Sequence, residues 1–228
     1  GETLEGIELM LGKLKDGTEK VRSIVKDLNT FSRQTQEKTE AVDVRKVIES
    51  TLNIAAYELK HRALLETEFG QVPPVLANPG RISQVILNLV INAAQSIAEG
   101  NPERNRVRVA TRLHRSATGL ERVVIEVSDT GAGIPPSTIN SIFDPFFTTK
   151  PIGEGTGLGL SICYNLVSAL SGEITVESEV GRGTTFRVFL QKAMPEHLMR
   201  FSKPSERALV APHEARQARL LIIDDEPI

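Results

Sequence analysis

The sequence predicts an α+β fold: a two-layer α/β sandwich in which helices cover one face of a mixed sheet, preceded by a long bundle-type helix. Three observations predict it. Arg106–Leu113 and Arg122–Ser128 alternate polar and apolar residues, as half-buried strands do. A largely apolar segment follows Asn78-Pro79, a capping Asn with Pro at the first helical position. Glu173–Ser178 and Thr184–Leu190 are two further strand-like runs joined by Gly181-Arg182-Gly183, a hairpin turn. Helices and strands in this order pack as layers around one core.

Residues 1–36 carry Ile7, Leu11, Leu14, Thr18, Val21, Val25 and Leu28 at alternating spacings of four and three, a heptad-like seam. Both an ordinary core helix and a bundled helix outside the main domain fit it. Gln34–Glu40 is polar and reads as a linker. Residues 44–60 form an amphipathic helix with Asp43 as its cap. Ala63–Phe69 and the Val75–Leu76 region read as short strands. The helix from Asn78 is predicted to run to about Ala98 and to be buried. Glu99–Arg104 is a turn. Residues 129–157 hold Gly131, Gly133, Gly153, Gly155 and Gly157 with Pro135, Pro136, Pro145 and Pro151, too many breakers for regular structure. Leu158–Leu170 returns to helix and is stopped by Ser171-Gly172. Residues 192–217 are polar with Pro195, Pro204 and Pro212, a linker, and Arg219–Asp225 opens a new apolar run ending in an acidic pair.

With 228 residues, 40% hydrophobic and 25% charged, the chain suits one globular domain with added segments. No apolar run approaches the roughly 20 residues that span a bilayer. A net charge of −2 without a basic block argues against nucleic acid as a partner. The single Cys163 excludes an internal disulfide and fits a reducing, cytoplasmic setting, and four scattered histidines give no zinc spacing. The first residue is Gly, so the expectation is a piece of a longer protein.

Asp129-Thr130-Gly131-Ala132-Gly133 places a carboxylate at a strand end. Glycines after it let backbone approach a flat ligand. Gly153 to Ser161 then leads straight into a helix. Its free N–H groups and the helix dipole suit phosphate oxygens. It has neither the Rossmann spacing nor the Gly-Lys-Ser/Thr ending of a P-loop. A flexible surface loop remains the plain reading of this segment alone. Asn88 and Asn92 lie one turn apart on one helix face. Either they are hydrogen-bonded in the core or they point into a site, where amide oxygens suit magnesium.

Together these segments resemble the histidine-kinase superfamily, which also includes gyrase, mismatch-repair and chaperone ATPases. Asn88–Ala93 resembles its asparagine box and Asp129–Gly133 its first glycine box. Phe143–Lys150 resembles its phenylalanine box, Gly155–Leu160 its second glycine box, and Gly181–Phe186 its closing motif. The resemblance implies ATP and Mg2+ as cofactors. Asp129 would bind the adenine amino group, with Thr185 helping through water. Asn92 and Asn88 would hold the magnesium, and Gln95 would face the phosphates. Lys150 would be the catalytic lid cation near the terminal phosphates. Gly131 and Gly133 belong to the base side. Gly155, Thr156, Gly157, Leu158 and Gly159 would shape the lid and the phosphate-side helix start, while Phe143 and Phe147 would anchor the lid by packing.

Hydrolytic members carry a glutamate general base where this chain has Asn88, and an amide takes no proton at neutral pH. The resemblance therefore implies transfer of the terminal phosphate to a histidine. It divides the chain into residues 1–36, the second helix of a dimerisation and phosphoacceptor hairpin; 37–192, the ATP-binding catalytic domain; 193–217, a linker; and 218–228, the first strand of a receiver domain with Asp224 and Asp225 as its acidic pair. None of His61, His114, His197 and His213 has the His-Glu setting of the acceptor, so that histidine is expected upstream. The implied partners are the phosphoacceptor domain, a receiver or response regulator, and a second copy in the full-length protein. An ATPase switch of the gyrase or chaperone type, and a degenerate nucleotide-binding or dimerisation module, are the alternatives.

Overall fold

The computed structural model describes residues 39–116, 118–151 and 155–194. Its elements are strand β1 (Glu40–Val42), helix α1 (Val44–Leu59), strands β2 (Leu64–Phe69) and β3 (Val75–Ala77), helix α2 (Pro79–Gln95), strands β4 (Arg106–Arg115) and β5 (Glu121–Asp129), helix α3 (Gly159–Ala169), and strands β6 (Glu173–Glu179) and β7 (Gly183–Gln191). A five-stranded sheet runs in the order β2-β4-β5-β7-β6. Only β2 and β4 pair in parallel, so the sheet is mixed. The three helices cover one face, the two-layer α+β arrangement that the sequence predicts. β1 and β3 form a separate antiparallel pair, joined to the end of the main sheet through a bridge between Val75 and Lys192.

The first two helices start where their caps dictate. Asp43 accepts from the Arg45 N–H at 3.0 Å and Asn78 from the Arg81 N–H at 3.0 Å, each satisfying a donor that the first turn leaves open. α2 is the central element. Ile82, Ile86, Leu89, Val90 and Ala94 are all at most 2% exposed. Its neighbours in the core are Ile48 from α1, Val107 and Val109 from β4, Ile125 from β5, and Val167 from α3. The inward parity of each strand follows from alternation: Val107 and Val109, Val123, Ile125 and Val127, and Phe186, Val188 and Leu190 are buried.

The outward face of the sheet is held by charge. Glu126 stands among three guanidiniums, 2.8 Å from Arg187, 3.4 Å from Arg112 and 3.6 Å from Arg108. Arg187 also reaches Glu177 at 2.6 Å, and Arg108 binds Glu68. Opposite charges on facing strands fix register and keep this face wet.

Three elements differ from the sequence reading. β1 begins at Glu40, inside the expected polar linker, because Ala41 and Val42 find partners in Leu76 and Val75 of β3. α2 ends at Gln95 rather than near Ala98. The Ile97 N–H turns back to the Ala94 carbonyl, and the Ser96 hydroxyl takes the Ala93 carbonyl at 2.8 Å. α3 begins at Gly159, one residue late, and does not end on a left-handed glycine. Ser171 is the left-handed residue (φ 53°), with Ser171 N–H on Ser168 O and Gly172 N–H on Val167 O, a Schellman closure. Gly172 is there for proximity, since a Cβ would stand 2.6 Å from the Phe189 carbonyl oxygen.

The packed unit extends through Ala193, which is buried and donates to the Pro74 carbonyl at 2.8 Å. The readings of 1–36 as a hairpin helix and of 218–228 as a receiver strand, and nearly all of the 193–217 linker, lie outside the described residues. Among the described residues no helix is long and apolar enough to cross a membrane.

Candidate functional site

A cavity of about 530 Å3 opens between α2, the end of β5, the start of α3 and the long loop connecting β5 to α3. That is within the roughly 300–1,000 Å3 of small-molecule sites. α2 supplies its floor. Asn88, Asn92 and Gln95 are spaced by four and three, so they share the face that the buried Leu89, Val90 and Ala93 leave open.

Asp129, the last residue of β5, closes one end and is 9% exposed. Its Oδ1 accepts from the Gly131 N–H at 2.8 Å and from the Ser96 hydroxyl at 2.9 Å. Burial pushes its carboxyl above the ordinary aspartate range, while the bonds from Gly131, Ser96 and the Thr184 backbone pull the other way. Gly131 is glycine because it lies against α2. A Cβ there would stand 2.0 Å from the Ser96 Oγ. Ala132, Gly133, Ile134, Pro135, Thr138 and Ile142 line the adjoining wall.

The opposite wall is the segment Phe147–Lys150 with Gly155–Gly157. The two segments of this wall meet where the Phe146 N–H donates to Gly157 O at 2.9 Å. Both residues are left-handed, Phe146 at φ 68° and Gly157 at φ 67°. Beneath them Phe143 packs on Tyr164 (5.7 Å between centroids) and on Phe186 (6.5 Å), and Phe147 packs against the core while lining the cavity. The Lys150 ammonium crosses the mouth and donates to the Gln95 amide oxygen, which brings these two sequence-selected residues together.

The other selected residues divide. Asn88, Asn92, Gly133, Gly155, Thr156, Gly157 and Gly159 line the cavity. Gly131 does not, and acts through its bond to Asp129. Leu158 is buried, and its carbonyl receives the Ser161 hydroxyl and the Ile162 N–H at the start of α3. Thr185 requires correction. It pairs with Ser128 and Glu177 on the outward face, whereas Thr184 is buried, lines the cavity and supplies the backbone N–H beside Asp129. Strand alternation is the reason. Gly153 and Glu154 lie outside the described residues.

Sequence reasoning also passed over Ser96, Ile134 and Ile142. Ser96 stands one turn after Asn92 and was within reach of the same helical periodicity. The parity of Phe186, Val188 and Leu190 likewise points to Thr184. Ile134 and Ile142 carry no local signal, because only loop geometry turns them inward.

The Asn88 amide already has two partners, accepting from Gln84 Nε2 at 3.0 Å and donating to Gly159 O at 3.2 Å. Asn92 makes no side-chain hydrogen bond to another described residue, and its amide borders the cavity. A hard divalent cation is therefore suited by the Asn92 oxygen. Asn88 would join only by giving up or sharing the Gln84 bond. Among the described residues no cluster of three His, Cys, Asp or Glu is placed to hold a metal by itself. Magnesium here would need phosphate oxygens to complete its shell. Cys163 does not line the cavity: burial pushes its thiol up to about 12, against the pull of the neighbouring Asn88 side chain, and it leans on the Val85 carbonyl at 3.8 Å.

Residues 77–194 match the family described as "Histidine kinase-, DNA gyrase B-, and HSP90-like ATPase". The chain belongs to this family. Sensor kinase CckA of Brucella abortus (strain 2308) is 35% identical over 229 residues, 93% of this chain and 24% of that protein. Sensor histidine kinase ZraS of Escherichia coli (strain K12) is 33% identical over 174 residues, 75% of this chain and 35% of ZraS. The chain thus spans about a quarter to a third of the length of these relatives. Among solved structures, full-length ShkA in complex with AMPPNP superposes with a TM-score of 0.63 at 26% identity, covering 80% of this chain and 38% of ShkA. The catalytic domain of histidine kinase ThkA gives 0.57 at 26%, covering 68% of this chain and 98% of that domain. The chain carries the ATP-binding catalytic domain of a histidine kinase.

Proposed function

We propose that this domain binds Mg-ATP in the cavity between α2 and the lid and transfers its terminal phosphate to a histidine on a separate phosphoacceptor domain. The observation that carries the choice of transfer over hydrolysis is the charge of the cavity. Among the described lining residues the single carboxylate is Asp129, and its Oδ1 is held by Gly131 and Ser96 at the base end. The polar groups that the helix turns toward the lid are amides, Asn88, Asn92 and Gln95. Among the described residues a water molecule there meets no group able to take its proton.

In this reading Asp129 accepts the amino group of adenine on the oxygen that Ser96 and Gly131 leave available. Asn92 holds magnesium against the phosphates, with Asn88 as a second amide. When bound, the metal supplies neutralisation of phosphate charge. The start of α3 at Gly159 presents open backbone N–H groups to the phosphate chain. Lys150 leaves Gln95 for the terminal phosphate, and the lid excludes water. Transfer of this kind depends on positioning and charge more than on covalent chemistry by the protein. The parent's dimerisation, its receiver or response-regulator partner and a cytoplasmic setting belong to the same proposal.

The test mixes the domain with labelled ATP and a separately produced phosphoacceptor domain of a sensor kinase. Acid-labile label on the acceptor, lost with Asp129→Asn, is the expected result. Phosphate release that outpaces transfer would favour the ATPase reading, and absence of nucleotide binding by calorimetry would leave a degenerate module.

A further inference from the structure

We propose that Ser96 is a positioning residue of the nucleotide site, which fixes the Asp129 carboxylate so that it discriminates adenine from purines without an amino group. The proposal rests on the reading of Asp129 as the base-recognising group.

The end of α2 explains why a hydroxyl is available at this point. The helix stops at Gln95, so the Ala93 carbonyl loses the Ile97 N–H, which goes to Ala94 instead. The Ser96 hydroxyl fills that gap at 2.8 Å and lies 2.9 Å from Asp129 Oδ1. One proton faces two acceptors, so turning it toward Asp129 requires little motion. The Ser96 main chain ties the same junction, its carbonyl accepting the Ala132 N–H at 3.0 Å. The contact is close enough that Gly131 has no room for a side chain.

Two donors on Oδ1, from Ser96 and Gly131, fix both the position and the rotation of the carboxylate. The other oxygen is thereby directed to the Thr184 side and the cavity, where an amino donor would meet it. Ser96 also lines the cavity, while β7 offers the facing wall through Thr184. Removal of the hydroxyl leaves the Gly131 N–H alone on Oδ1, with the Thr184 backbone beside the carboxylate, and loosens its rotation about the Cβ–Cγ bond. The loss falls on ligands that use the second oxygen and spares those that do not.

The experiment measures binding of ATP and of purine riboside triphosphate, which lacks the amino group, to the folded domain with magnesium. Ser96→Ala should weaken ATP about five- to tenfold, the scale of one typical net hydrogen bond, and leave the purine analogue within about twofold. Ser96→Thr, which keeps the hydroxyl, should restore the preference. Retained binding of the analogue shows that Ser96→Ala is folded, and a melting curve checks it independently. Equal loss for both ligands, or no loss for either, overturns the positioning role. A wild-type domain that binds both ligands equally well defeats the reading of Asp129 itself, a result separable from the variant's behaviour.

Discussion

Gly157→Ala should open the lid without unfolding the domain. Gly157 sits at φ +67°, and a Cβ there would stand 2.4 Å from the Phe146 carbonyl carbon and 2.6 Å from its oxygen. These are backbone atoms, so no rotamer change relieves the contact. The left-handed backbone alone disfavours alanine by about 1–2 kcal/mol. Displacing Phe146 breaks its N–H bond to Gly157 O, a further ~0.5–1.5 kcal/mol. The lid arrangement described here should lose about 2–3 kcal/mol, which corresponds to about 30- to 150-fold weaker nucleotide binding if that arrangement holds the ligand. Gly181→Ala is the matched control. It has a similar φ of +77°, but nothing lies within 4 Å of the added carbon and it does not line the cavity. It should lower stability by about 1 kcal/mol and leave affinity unchanged. Calorimetry with Mg-AMPPNP, beside thermal melts of both variants, separates strain from lid function. Gly157→Ala binding within threefold of wild type, or Gly181→Ala weakening binding equally, would refute the reasoning.

Other outcomes follow from polar groups in the core and on the outward face of the sheet. Asp129→Asn should bind ATP at least tenfold more weakly, as read by calorimetry. Because burial raises the Asp129 carboxyl in the folded state, the folded protein holds that proton better than the unfolded chain does. The burial penalty is then absent below the ordinary aspartate range and grows as pH rises through the folded value. Asp129→Asn should therefore be most favourable relative to wild type at neutral pH, and melts down to about pH 4 should show this advantage shrinking. Thr111→Val should raise the urea midpoint by an amount worth about 1–2 kcal/mol, since the buried Thr111 hydroxyl has no partner among the described residues. Glu126→Gln should lower stability by about 2 kcal/mol, because it leaves Arg108, Arg112 and Arg187 facing a neutral group; a loss under 0.5 kcal/mol by denaturant titration would count against the network.

Much of this fold was readable because its signals are local. Asn78-Pro79 announces α2, and alternation announces β4, β5 and β7. What was not readable depends on distant partners. β1 is a strand only because β3 lies across from it. The parallel placement of β2 beside β4 requires the whole chain to pass over the sheet through α2. At the site, the motifs identified α2, Asp129 and the lid, since each needs particular residue types at fixed spacing. Thr184 and Thr185 show the finer limit: the closing motif identifies the pair, and only the inward parity of Phe186, Val188 and Leu190 selects the member that meets Asp129. The Gln95–Lys150 contact spans 55 positions, so nothing local announces it.

The site gathers two departures from the chain's own structural preferences. A carboxylate is buried at Asp129, and an exposed phenylalanine at 146 holds a left-handed backbone. Each departure disfavours the folded state, and each borders the cavity or its lid. Strain that persists in a folded chain needs surroundings that over-determine it. Here Gly131 and Ser96 constrain Asp129 from below, while Gly157 and the packed ring of Phe143 constrain the lid from behind. Phe146→Gly tests whether the strain serves the lid: relief should raise stability by up to about 1 kcal/mol through the left-handed backbone. The freer lid should then bind Mg-AMPPNP more weakly. A variant that gains stability and keeps full affinity would mean that Phe146 serves something other than the nucleotide.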